Sequence, residues 1–271
     1  MESYNKAILY AILGGFFSGD GCIKTTSSVS SAGHRNYVPQ LQVTSISNDI
    51  LFLLKKTFGG TITMMRKRKG GDGHIYEWRF SGDSVMTALG HMKPYIIGKS
   101  SQVNIIMAWP PRKQFKIDAT GTRKKRMDIH SLLQSLKKEV PEEPIPAFGR
   151  VQAVCFVGGF FGADGCVYAY NPRESSITVM FDQKHRHVLD CINTWFPSIS
   201  GVKDHVATCQ SGRFPCFRLG YTGQEALDFL SIIVDYVPVD HKREQCRVAI
   251  DPELPMEEKV KRLKELKMYS E

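Results

Sequence analysis

The chain has 271 residues, 42% hydrophobic and 23% charged, a balance that excludes a disordered protein and suffices for one large or two ordinary domains. No apolar run approaches the roughly 18 residues of a membrane span, and the opening MESYNKAILYAILGGFF carries an acid and too little positive charge for a secretory signal, so a soluble protein starting at its own methionine is expected. Seven scattered cysteines without CxxC pairing point to a reducing compartment, and the formal net charge of +9 suits a polyanionic partner.

In chain order, Lys6 to Gly19 carries apolar residues at helical spacing (Leu9, Leu13, Phe16, Phe17), and Asp20-Gly21 ends it. Strand-like stretches follow at Cys22 to Val29 and at Tyr37 to Ser45, where Leu41 and Val43 alternate with Gln40, Gln42 and Thr44. Ser47 reads as the cap of a helix from Asn48 to Phe58 closed by Gly59-Gly60, and Thr61 to Arg66 with Ile75 to Phe80 make a hairpin. Helices from Asp83 to Met92 and from Lys99 to Trp109 complete a first half, residues 1–109. Residues 110–150 read as a linker with a helix from Thr122 to Val140 and a stiff Pro141 to Pro146 connector.

Residues 151–271 repeat the plan, with a helix to Ala163, strands from Cys166 and Ser175, a helix ending near Phe196, strands around Lys203 to Cys209 and Phe214 to Tyr221, helices beyond Gly223 and His241, and a terminal helix from Pro255 to Met268. The repeat is explicit in Leu13-Gly14-Gly15-Phe16-Phe17-Ser18-Gly19-Asp20-Gly21 against Val157-Gly158-Gly159-Phe160-Phe161-Gly162-Ala163-Asp164-Gly165. Trp78-Arg79 matches Phe217-Arg218, Lys99 matches Lys242 and Gln102 matches Gln245. The predicted fold class is α+β: two pseudo-symmetric αββαββα halves, each an antiparallel saddle-like sheet with helices on one face.

A glycine pair inside a helix costs roughly 1 kcal/mol per glycine relative to alanine, so its repetition calls for a compensating close contact. Gly14 and Gly15 with Gly158 and Gly159 would let two helices meet nearly backbone to backbone. That packing would bring Asp20 and Asp164 together at two helix C-termini, where the macrodipole already opposes a carboxylate. A divalent cation with oxygen ligands, magnesium above all, removes the conflict. The alternative is that each Asp-Gly is only a helix stop with glycine in a left-handed cap. His185 and His187 near Cys191, and His205 with Cys209 and Cys216, match no standard zinc spacing.

These paired stretches resemble the LAGLIDADG motif of homing endonucleases, in the form where one chain carries both copies and imitates a dimer. The resemblance spans nearly the whole chain; Ser18 and Gly162 depart from the motif, while both metal-binding acids are present. It implies a monomer whose two sheets lie in the DNA major groove and whose Asp20 and Asp164 each serve one strand. Two or more Mg²⁺ ions, on these acids and the carbonyls of Gly19 and Ala163, would support phosphodiester hydrolysis with short 3′ overhangs and intron homing, with Ca²⁺ supporting binding without cleavage. Lys99 and Lys242 would offset phosphate charge, and Ser45 and Gln183 would order water. Two rival readings of the same fold are an intron maturase binding its own intron RNA and a non-catalytic DNA-binding regulator. The family's frequency in mitochondrial and chloroplast genomes suggests an organelle by analogy.

For recognition, strand parity turns Lys24, Thr26, Ser28, Gln40, Gln42, Thr44, Glu77 and Arg79 outward in the first half, with Lys67 in the hairpin loop. Tyr168, Tyr170, Thr178, Met180 and Arg218 are their counterparts in the second. Glutamine can read adenine bidentately. The first 150 residues hold 22 basic against 11 acidic side chains and the remainder 14 against 16, so phosphate contacts are expected to concentrate on the first half.

Overall fold

Asn5 starts the first helix by accepting the Ala7 amide on its side chain, satisfying one of the donors that a helix start leaves unpaired. That helix is α1 (Lys6–Asp20), and the first half continues through β1 (Gly21–Val29), β2 (Arg35–Ser45), α2 (Asn48–Phe58), β3 (Thr61–Met65), β4 (Ile75–Ser81), α3 (Val85–Met92), a 3₁₀ turn (Lys93–Tyr95) and α4 (Ser100–Met107). After α5 (Ala119–Leu136), the second half runs through α6 (Arg150–Asp164), β5 (Gly165–Ala169), β6 (Ile177–Gln183), α7 (Arg186–Trp195), β7 (Val202–Cys209), β8 (Gly212–Thr222), α8 (Gln224–Ile233), a second 3₁₀ turn (Val234–Tyr236), α9 (Asp240–Ile250) and α10 (Met256–Met268). The computed structural model describes residues 5–29, 31, 33–65, 74–111, 114, 117–136, 143–169, 176–209 and 212–268. Among these, no helix is long and apolar enough to cross a membrane.

The expected αββαββα order is present twice, each copy followed by a 3₁₀ turn and by the further helix expected near Lys99 or His241, here α4 and α9. Two boundaries differ where chemistry follows. Asp20 is the last residue of α1 rather than the residue beyond it, and Lys99 stands at the N-cap of α4 rather than inside the helix.

Each half holds a four-stranded antiparallel sheet, ordered β1-β2-β4-β3 and β5-β6-β8-β7. Gly21 pairs with Val43 and Gly165 with Phe181, which makes Ser45 and Gln183 equivalent, opposite Tyr76 and Phe217. The expected match of Trp78-Arg79 with Phe217-Arg218 is off by two residues: Trp78 corresponds to Leu219, Glu77 to Arg218 and Arg79 to Gly220. The core enforces this register, because Trp78 and Leu219 are both fully buried.

The halves interlock at the ends of their 3₁₀ turns. Ile97 of the first half is buried in the core of the second, and Val239 of the second is buried in the core of the first. The main contact is α1 against α6, and here the two glycines of each pair divide the work. Gly15 and Gly159 face the opposite helix, where an added Cβ would run into the backbone of Phe156 and of Ile12. Gly14 and Gly158 instead face their own half's 3₁₀ turn, where a Cβ would lie 2.5 Å from Tyr95 Cβ and 2.7 Å from Tyr236 Cβ. The helix-to-helix contact therefore rests on the second glycine of each pair only.

Candidate active site

The close approach of α1 and α6 carries the Asp20 and Asp164 side chains to one place at the helix ends. Gly21 and Gly165, which follow them, are extended (φ −72° and −74°), so the left-handed cap is not the reason for glycine. A Cβ there would collide with the ring of Phe17 or Phe161, and glycine lets each strand leave its helix tightly over that phenylalanine.

Burial, then the charge of Asp20, pushes the Asp164 carboxyl up to about 6 against the pull of Lys242 and Lys99. Asp20 is also raised, by burial first, with Lys242 and Lys99 opposing. Gln183 hydrogen-bonds Asp164, yet Asp164 Oδ2 is buried without a partner. The equivalent Ser45 turns to its own loop, its Oγ accepting the Ser47 amide at 3.1 Å. The two acids are thus supported unequally.

Lys99 and Lys242 stand beside both acids. Lys99 Nζ donates to the carbonyls of Phe17 (2.7 Å), Gly19 (2.9 Å) and Gly21 (2.7 Å), and Lys242 Nζ to those of Ala163 (2.7 Å) and Phe161 (3.4 Å). Each ammonium closes a helix C-terminus, where unpaired carbonyls attract a cation. Burial lowers Lys99 to about 8 and lowers Lys242, the acids opposing in both cases. The Gly19 and Ala163 carbonyls, expected as metal ligands, therefore already accept hydrogen bonds from lysine.

The residues fit a hard divalent cation: two carboxylates converge, one oxygen lacks a partner, and burial raises both acids, Asp164 further by the charge of Asp20. Among the described residues no cluster of three or more His, Cys, Asp or Glu could hold a metal by itself. Carbonyls, water or a bound phosphate would have to complete the ligand shell. Sequence reasoning missed three neighbours. His185 stands at the N-cap position of α7 without a capping hydrogen bond from its side chain, its Nδ1 is buried and unpartnered, and burial, then Lys184 and Lys99, lowers its pKa. His241 is lowered by burial and by Lys242. Glu143, from the linker, accepts the amides on either side of Lys99. The adjacency of His241 to Lys242 was visible in the sequence; the other two contacts join residues far apart in it.

On the sheets, cross-strand register puts Lys24, Thr26, Ser28, Gln40, Gln42, Thr44, Glu77 and Arg79 on one face, as expected. Outward parity does not make all of them accessible. Gln40 and Glu77 are buried, and Gln42 is held between Lys24, which donates to its Oε1, and Glu77, which accepts from its Nε2. Arg79 pairs with Glu77 in turn, so Lys24, Gln42, Glu77 and Arg79 form one chain across three strands. The Gln42 amide is committed on both sides rather than poised to read adenine alone. On the second sheet Thr178 and Met180 are buried, which corrects their expected exposure. Tyr168 lies under the Lys267 ammonium of α10 (4.5 Å), and Arg218 forms a two-pronged pair with Asp182 (2.6 and 2.7 Å). Thr26, Ser28 and Thr44 are exposed, whereas Lys67 and Tyr170 lie outside the described residues.

No protein-family profile matches the chain, and no curated protein matches it in sequence. Solved structures match along almost its full length. They include the LAGLIDADG meganuclease I-CpaMI bound to uncleaved DNA (TM-score 0.63, 11% identity, 98% of each chain covered). The LAGLIDADG homing endonuclease I-GzeII in complex with its DNA target matches with TM-score 0.60 and 12% identity over 97% of this chain and 98% of that one. I-SmaMI bound to uncleaved DNA target in the presence of calcium ions matches with TM-score 0.55 and 13% identity over 97% and 98%. The chain has the fold of the LAGLIDADG homing endonucleases.

Proposed function

We propose that this chain is a site-specific endonuclease that binds a long, asymmetric double-stranded DNA target as a monomer. It hydrolyses both strands with Mg²⁺, leaves short 3′ overhangs, and promotes homing of its own intron. The observation that carries this reading is the pairing of Asp20 with Asp164, whose buried Oδ2 has no partner, between two buried lysines. The fold match to proteins solved with DNA targets, one with calcium, supports it.

Asp20 and Asp164 would hold the metal. When bound, it supplies positive charge that eases ionisation of a water and steadies the departing 3′ oxygen. The remaining work falls to this chain's own groups. Lys99 and Lys242 bring two ammoniums to where charge builds on the phosphate, in surroundings that shield them from water. Gln183 fixes the orientation of Asp164 through its hydrogen bond. Because Ser45 gives no such hold in its equivalent position, the two strands are cut at unequal rates. On the first sheet, Lys24 and Arg79 bring positive charge and Thr26, Ser28 and Thr44 bring exposed hydroxyls toward the groove.

Incubation with a randomised DNA library, with Mg²⁺ and with Ca²⁺, tests the reading. One long sequence should be cut in Mg²⁺ and retained uncut in Ca²⁺. Retention without cleavage in Mg²⁺ would leave a DNA-binding protein and remove the endonuclease.

A further inference from the structure

The ammonium of Lys99 reaches the end of α1 from the N-cap of α4, a position with no capping hydrogen bond from its own side chain. The chain enters that cap through Gly98, whose φ of +76° is a left-handed turn that glycine adopts freely and holds weakly. What grips the turn comes from elsewhere: Glu143 Oε2 accepts the Gly98 amide and Oε1 the Ser100 amide, each at 3.0 Å. A carboxylate there satisfies two amides and faces the positive end of the α4 dipole. The charge of the same side chain is felt at α7 of the second half. The Cys191 thiol is pushed up to about 12 by burial, then by the charges of Asp190 and Glu143. The second half has a weaker counterpart. Asp49 of α2 accepts the Asp240 amide at 3.3 Å, at the start of the helix bearing Lys242.

Taking the endonuclease reading as its premise, we infer that Glu143 is a positioning residue for Lys99. By clamping the turn on both sides of that lysine, it ties the lysine's placement to the segment between the halves and governs cleavage of one strand selectively. Asp49 does the same, with one bond, for Lys242. The two anchors reach across the molecule, since neither carboxylate belongs to the half whose lysine helix it holds.

Competitive acylation of lysine amines, read by mass spectrometry in metal-free and DNA-free protein, tests the placement without calling on nuclease activity. Glu143→Ala should raise Lys99 labelling roughly tenfold or more with Lys242 unchanged, roughly tenfold being the scale of one lost hydrogen bond to a charged group. Glu143→Gln, which keeps one acceptor, should fall between it and the parent, and Asp49→Ala should raise Lys242 instead. Unchanged Lys99 labelling, or both lysines rising together, overturns the inference, the second outcome meaning general loosening. On cognate plasmid, Glu143→Ala should accumulate a nicked form broken on the same strand in every molecule, the other strand slowing by roughly ten- to a hundredfold. Equal slowing of both strands overturns strand selectivity. If the parent protein cuts no DNA, the endonuclease reading fails while the labelling result still decides whether Glu143 positions Lys99.

Discussion

Gly19 and Asp164 share one space from opposite halves: a Cβ on Gly19 would fall on the Asp164 carboxylate and stand 2.6 Å from Ala163 Cβ. Gly19→Ala is therefore expected to cost about 1–3 kcal/mol by overpacking and to displace the acid, weakening divalent-metal binding. Urea denaturation and calorimetric Ca²⁺ titration check both effects. Adding Ala163→Gly should restore part of the stability, because it removes one of the two obstacles, but not the metal affinity.

The helix contact gives a sharper contrast. Gly15→Ala or Gly159→Ala drives a methyl into the backbone of Phe156 or Ile12, which has no rotamer to yield, so a loss of at least about 3 kcal/mol is expected. Gly90, within α3, has nothing within 4 Å of its would-be Cβ. Gly90→Ala should stabilise the protein by about 0.5–1 kcal/mol, through helix propensity and a less flexible unfolded chain. Chemical denaturation of the three variants would show opposite signs if the packing is as described.

Asp164 makes stability depend on pH in a sense opposite to a paired surface acid. Its folded pKa of about 6 exceeds the unfolded value, so between the two the native state holds the extra proton and stability falls as pH rises. Asp164→Asn should thus raise the metal-free melting temperature above pH 6, and the gain should vanish as pH falls through about 6 toward the unfolded value. Metal binding needs the ionised acid, so apparent Ca²⁺ affinity should drop below about pH 6. Melting curves across pH, with chelator and with Ca²⁺, would expose the reverse trend if burial does not dominate at this site. In Mg²⁺, Asp164→Asn and Asp20→Asn should each abolish double-strand cleavage while DNA binding in Ca²⁺ persists; a variant that cuts both strands at the parent rate would refute their assigned role.

Ser18 and Gly162 solve the same position differently. Ser18 Oγ donates to the Gly14 carbonyl and accepts the Ile97 amide, whereas Gly162 lies against Pro238, which has no amide to satisfy. Ser18→Ala should cost about 1–3 kcal/mol by orphaning a buried donor. Gly162→Ser should also destabilise, since its Cβ would stand 2.9 Å from Pro238 Cδ and its hydroxyl would find no amide there to accept. Denaturation midpoints that leave either variant at the parent value would refute this account.

Much of the site was legible because its signals are local and repeated. Alternation along β2 located the outward set, and matched Asp-Gly and lysine positions singled out Asp20, Asp164, Lys99 and Lys242. What escaped depended on a third dimension. Glu77 and Gln40 have the parity of exposed residues but are buried, and Thr178 and Met180 are likewise covered. The sequence match of Arg79 with Arg218 failed because both registers set an aromatic residue, Trp78 or Tyr76, against Phe217; core packing of Trp78 and Leu219 chose between them.

Strand and helix periods, set by backbone geometry over a few residues, were enough to determine the element order, and the repeated Gly-Gly and Asp-Gly phrase determined two related halves and the meeting of two acids where glycine lets helices touch. Tertiary structure alone decided which glycine makes that touch, that each lysine closes a helix end, and that Glu143 reaches Lys99. Those outcomes depend on distances between segments remote in the chain, and such distances are fixed only when the cores of both halves pack.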